Sequence, residues 1–236
     1  MVERAWVRDD AFNQHLELPY ELRIKDFEIA MQDVYDFFHD VNAMFQGKGL
    51  PRLEESLRAA NMSGMISDML TASVAKHSRA LCQNRYHNGH PDLIVKGIYA
   101  NDMVKAGERG VEIKTTRKKG GAVDTHGARE QWMCVFVYRI DGVTEPAVER
   151  RATEFTTVYL NHVSPADFRR NERGELGTRT ATLDKAGIQK LRSGWIYDLD
   201  RRELADRPLG QADELGIGFD TDAVIPDRIG RRQRRT

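Results

Sequence analysis

His90-Pro91-Asp92-Leu93-Ile94-Val95-Lys96-Gly97-Ile98-Tyr99, followed by Gly110-Val111-Glu112-Ile113-Lys114-Thr115-Thr116, is the part of the sequence whose reading decides the fold. Both segments are short runs rich in aliphatic and β-branched residues, bounded by Gly, Pro and Asn. Residues 92–99 and 110–116 therefore read as neighbouring strands, and a turn around 101–107 joins them as a hairpin. Side chains two apart share one face of a strand, so Glu112 and Lys114 project together while Val111 and Ile113 project to the other side. Asp92 opens the first strand. Two carboxylates and an ammonium are thereby expected at one small sheet edge.

Working outward, residues 132–140 form a strongly apolar run that reads as a central strand, and 154–162 reads as another. On the N-terminal side, Ile24, Phe27, Met31, Val34, Phe38, Val41 and Phe45 recur three and four apart, which makes one stripe on a long helix ending near Gly47 and Gly49. Lys25, Asp26, Glu28, Asp33, Asp36 and Asp40 fall on its polar face. Pro51 can open a short helix, and residues 61–64 offer a cap or a break before a helix whose buried stripe is Met65, Ile66, Met69, Leu70 and Val74. Beyond the strands come a helix over 183–191 and a short strand over 195–199. The segment 115–131, with Gly120, Gly121 and Gly127, reads as a mobile loop or an interrupted helix.

These elements predict an α/β fold with a mixed central sheet flanked by helices. An N-terminal helical region, 1–60, packs on a core spanning 61–200, and 201–236 is an extended segment ending in the basic run Arg231-Arg232-Gln233-Arg234-Arg235. A chain of 236 residues is long enough for one sizeable core. Cys82 and Cys134 lie in apolar surroundings without a disulfide pattern, as expected of buried thiols in a reducing compartment. Neither a signal core after Met1-Val2-Glu3-Arg4 nor an apolar run long enough to span a bilayer is found, so the expected location is the cytoplasm.

Acid, acid and lysine at one edge suit phosphodiester hydrolysis. Mg²⁺ takes one or two protein carboxylates and keeps several waters, a demand that Asp92 and Glu112 meet. The Lys114 ammonium can orient the attacking water or offset charge developing on the phosphate. With these residues the sequence resembles the PD-(D/E)xK nuclease superfamily, and more narrowly type II restriction endonucleases. The matching residues are Pro91-Asp92 and Glu112-Ile113-Lys114, with nineteen residues between the two acids.

The resemblance implies a restriction-endonuclease-like core in which Asp92 and Glu112 bind Mg²⁺, the backbone carbonyl of Ile113 adds a ligand, and Lys114 positions the water. It also implies an acid on a preceding helix, for which Asp68 ranks ahead of Glu54 and Glu55. Sequence-specific cleavage of double-stranded DNA is implied likewise, with a cognate DNA methyltransferase encoded nearby. A repair, recombination or RNA-acting nuclease on the same core is the alternative enzyme. A noncatalytic DNA-binding protein, with the three charges as ordinary surface groups, is the alternative outside enzymes.

Charge bears on the partner. With 36 basic and 36 acidic residues the chain lacks the global positive charge of a protein that grips DNA all over. Locally, however, 105–129 holds Lys105, Arg109, Lys114, Arg117, Lys118, Lys119 and Arg129 against Glu108, Glu112 and Asp124, which can supply a phosphate-tracking patch beside the site. Arg117, Lys118, Lys119, His126, Arg129 and Gln131 are the candidate DNA contacts, to backbone or to base edges. His77, Cys82, His87 and His90 raise the question of zinc, but no second ligand pair follows at finger-like spacing. His90, next to Asp92, more simply orients the site or touches the DNA backbone. No Gly-x-Gly-x-x-Gly or Walker loop is present. A palindromic site would be met by a homodimer, and the 23–46 stripe is a possible interface.

Overall fold

The three-four stripe becomes the buried side of α1 (Ile24–Gly47), where Phe27, Met31, Val34 and Phe38 are almost fully enclosed. The computed structural model describes residues 2–119, 121, 123–125, 127–171 and 180–201. The stripe is consumed within its own chain, packed with α3 and the sheet in a single apolar cluster. Val41 and Phe45, at the C-terminal end of the stripe, lie outside that cluster and are only partly buried. Asp26, assigned to the polar face, is also buried, because Arg23 caps the first turn and ion-pairs with it.

After α1 the chain makes α2 (Leu53–Ser56) and α3 (Ala59–His77), then β1 (Leu81–Gln83), β2 (Leu93–Val95), β3 (Gly110–Thr116) and β4 (Asp124–Thr125). It continues through β5 (Gln131–Arg139), β6 (Glu154–Val163), β7 (Phe168–Asn171), β8 (Thr180–Leu183), α4 (Lys185–Ser193) and β9 (Trp195–Asp198). The break expected at 61–64 is absent. Helix α3 runs through it, and Ser63 bonds the Tyr138 hydroxyl at 2.8 Å while its carbonyl accepts from Thr115 at 2.7 Å. Tertiary partners on the sheet override the local weakness of Asn61, Ser63 and Gly64 as helix formers.

Six strands form a mixed sheet in the order β1-β2-β3-β5-β6-β9, with β3 and β5 parallel and the other pairs antiparallel. The expected α/β architecture, a mixed sheet flanked by helices, is thus observed. Strand β5 is interior, and both of its faces are covered. Cys134, Phe136 and Tyr138 join the cluster under α1 and α3, whereas Met133, Val135 and Val137 join a second cluster with Phe168, Leu183 and Leu191. That is why 132–138 reads as a continuous apolar run rather than an alternating one. Among the described residues no helix is long and apolar enough to cross a membrane.

Three local expectations change. The first strand is much shorter than 92–99: β2 ends at Val95, Gly97 adopts a left-handed φ of 73°, and a 3-10 turn follows at Ala100–Asp102. The C-terminal helix starts two residues later than expected, because Leu183 closes β8 and Asp184 caps the helix by accepting from the Gly187 N–H at 2.8 Å. Among its described residues the 115–131 connection holds no helix and, between β3 and β5, one two-residue strand within a loop. Its β4 pairs with β8 in a separate sheet, β4-β8-β7, and so carries the crossover between parallel β3 and β5. His126 and the segment 202–236, including the basic run at 231–235, lie outside the described residues.

Candidate functional site

Strand register places the key side chains. Glu112 stands beside Met133 and Lys114 beside Val135, so both acid and lysine lie on the face of the second cluster, while Val111 and Ile113 enter the helix-side core. Asp92 immediately precedes β2, which pairs with β3 only through Leu93 opposite Val111 and Ile94 opposite Gly110. A Cβ on Gly110 would sit 1.9 Å from the Leu93 carbonyl oxygen, so only glycine permits this approach. Past that short pairing, the Ile113 N–H finds the Asp92 carboxylate instead of a strand, donating to Oδ2 at 2.8 Å. The loop before it is held by Asn84, which donates to the Pro91 and Val104 carbonyls at 3.0 and 2.9 Å.

Asp92, Glu112 and Lys114 meet in a cleft of about 510 Å³, with His90, Arg129 and Gln131 also on its wall. Lys114 Nζ lies 2.5 Å from Glu112 Oε1, and His90 Nδ1 lies 2.7 Å from Oε2. Oε2 is thus met by His90 as a close ion-pair contact without a well-aligned hydrogen bond, whereas the buried Oε1 of Gln131 has no hydrogen-bond partner at all. Such an acceptor is unusual, since nearly all buried polar atoms are paired.

The electrostatics follow from burial and proximity. Burial first, then the Glu112 charge, pushes the Asp92 carboxyl up to about 6 despite the nearby Lys114 and the Ile113 N–H. Burial would raise Glu112 too, but His90 and Lys114 outweigh it and hold its pKa below the usual range. For Lys114, burial works toward the neutral amine, yet Glu112 and Asp92 prevail and raise its pKa. The cleft thus holds an ionised glutamate, an ammonium, and an aspartate whose charge is costly without a further cation. Two hard carboxylates in one cleft are donors of the kind a divalent ion such as Mg²⁺ accepts.

Not every expected residue arrives here. Asp68 is exposed, without a hydrogen bond or ion pair among the described residues, and is not on the cleft wall. Successive helical residues point about 100° apart, and it is Ser67 that turns toward β3, donating to the Ile113 carbonyl at 3.1 Å. That hydroxyl takes one of the two lone pairs of the carbonyl expected to bind metal. Ser67 was not singled out from sequence, where a mid-helix serine carries no signal. Glu54 is buried with Arg52 and Asn42, and Glu55 pairs with Arg150, in a different part of the molecule from the cleft.

Among the candidate DNA contacts, Arg129 and Gln131 reach the cleft, while Arg117, Lys118 and Lys119 are exposed beyond the far end of β3. Five residues of extended chain separate Arg117 from Glu112, about 16 Å. Gln131 is only 5% exposed and faces the cleft rather than the open surface. Comparisons with protein-family models, curated proteins and solved structures gave no match.

Proposed function

We propose that this chain is a Mg²⁺-dependent endonuclease that hydrolyses phosphodiester bonds of double-stranded DNA, as a sequence-specific restriction enzyme of the type II, PD-(D/E)xK kind. The observation that carries the reading is the enclosed Asp92–Glu112–Lys114 constellation at the point where β2 leaves β3. Asp92 and Glu112 would hold the ion. When bound, Mg²⁺ supplies polarisation of the scissile phosphate and a lowered pKa for coordinated water.

The chain's own residues do the remainder. Lys114, kept charged by both acids, sets a fixed positive group beside the reacting phosphate, where partial exclusion of water strengthens its effect. Its bond to Oε1, with His90 at Oε2, fixes the Glu112 carboxylate. Arg129, exposed at the cleft, is placed to hold a DNA phosphate. Cutting both strands of a palindrome calls for two copies about a twofold axis, so a homodimer on DNA is part of this reading, as is a cytoplasmic location where foreign DNA is met.

Purified protein incubated with plasmid DNA and Mg²⁺ should yield discrete fragments, and chelation should abolish them. Absence of cleavage with Mg²⁺ or Mn²⁺ across varied DNA substrates would refute the proposal. Unchanged cleavage by Asp92→Ala or Glu112→Ala would refute the site.

A further inference from the structure

Gln131 opens β5 two residues before Met133, and Met133 stands beside Glu112 in the parallel ladder. Alternation along β5 puts Gln131 on the same sheet face as Glu112, one diagonal step away. Its side chain lines the same cleft, is 95% enclosed by the 5% exposure noted above, and leaves Oε1 without a hydrogen bond. Among the described residues the other buried side-chain oxygen without a well-aligned hydrogen bond is Glu112 Oε2, which has the His90 ring 2.7 Å away.

A buried acceptor left unpaired has lost its water without a replacement, which is unfavourable. The Gln131 amide oxygen can only accept, so what satisfies it brings positive charge or a proton. Lys114 already engages Oε1 of Glu112, and among the described residues no three His, Cys, Asp or Glu side chains form a metal-holding group. A neutral amide oxygen is a hard ligand of the type that Mg²⁺ and Ca²⁺ accept beside carboxylates.

We propose that Gln131 is a ligand of the divalent cation held by Asp92 and Glu112, its Oε1 completing the oxygen set from the neighbouring parallel strand. This rests on the metal-dependent reading of the cleft and adds a position outside the Pro91-Asp92 and Glu112-Ile113-Lys114 motif. It also accounts for why a glutamine is enclosed at the start of an otherwise apolar strand.

Calorimetric titration with Mn²⁺ in the absence of DNA tests it, using the full chain and the variants Asp92→Asn, Gln131→Met and Gln131→Asn. The expected result is loss of binding in Asp92→Asn and a fall of about tenfold or more in Gln131→Met, at least what removing a supporting group around a metal costs. Gln131→Asn keeps the amide but withdraws its oxygen by one methylene, and should also weaken binding; it carries the test if the methionine variant does not fold. Wild-type affinity in a folded Gln131 variant, with binding lost in Asp92→Asn, would overturn the Gln131 assignment in favour of a bridging water and leave the metal site standing. A wild-type chain that binds no Mn²⁺ would overturn both.

Discussion

Replacing Asp92 with asparagine should stabilise the metal-free protein, and the gain should depend on pH. The amide keeps an acceptor for the Ile113 N–H and discards the charge that burial and Glu112 make costly. Those two causes raise the carboxyl from 3.8 to about 6. An acid whose folded pKa lies above its unfolded value holds its proton more tightly when folded. Its contribution is therefore most favourable below about pH 4, declines as pH rises toward about 6, and stays at its least favourable beyond. At about 1.4 kcal/mol per pH unit, that interval amounts to about 3 kcal/mol. Urea denaturation in EDTA should show the variant and wild type nearly equal near pH 4, with the variant ahead by up to about 3 kcal/mol at pH 7.5. Mg²⁺ should recover much of that difference for the wild type at pH 7.5 and little for the variant. A variant less stable than wild type at pH 7.5 in chelator, or a gap that does not change with pH, would refute the claim that Asp92 is held ionised at a cost.

Lys114→Met should lower the single-turnover cleavage rate far more than DNA affinity, because the charge acts on the reacting phosphate; equal losses in both, measured by quench-flow and filter binding, would make it a backbone contact. Gly110→Ala forces a Cβ against the Leu93 carbonyl at 1.9 Å and should cost about 3 kcal/mol in chemical denaturation while disabling cleavage, and a fully stable, active variant would contradict the role given to that close approach. Arg129→Ala should weaken DNA binding by a similar factor on all sequences and reduce the slope of log affinity against log salt by about 1; a changed site preference would instead mark Arg129 as a base reader.

The sheet and its helices were legible because their signals are periodic. The α1 stripe repeats over six turns and β5 is apolar from Trp132 to Tyr138, so neither depends on a distant partner for its identity. What failed to show depends on long-range contacts. Residues 92–99 carry strand-forming side chains to the end, yet Gly97 and the Ala100–Asp102 turn withdraw the chain after three residues. That withdrawal is what frees Asp92 to take the Ile113 N–H. In the same way β4 exists only because β8, far along the chain, pairs with it, and nothing within 115–131 announces that partner.

The charges at the centre of the site pose the sharper problem. A Glu-x-Lys on a strand is ordinarily a solvated pair, and only knowledge of both sheet faces can say otherwise. Here residues of the 88–92 and 125–131 segments wall the cleft that Glu112 and Lys114 line, and Glu112 is only 8% exposed. An ion pair so enclosed bears a desolvation cost that close pairing seldom repays in full, and an apolar pair would fill the same volume more cheaply. Glu112 is thus a buried charge, with Asp92 and Lys114 half-buried beside it. Enclosed titratable groups perturbed in opposite directions, Asp92 upward and Glu112 downward, are the kind of arrangement that marks functional sites.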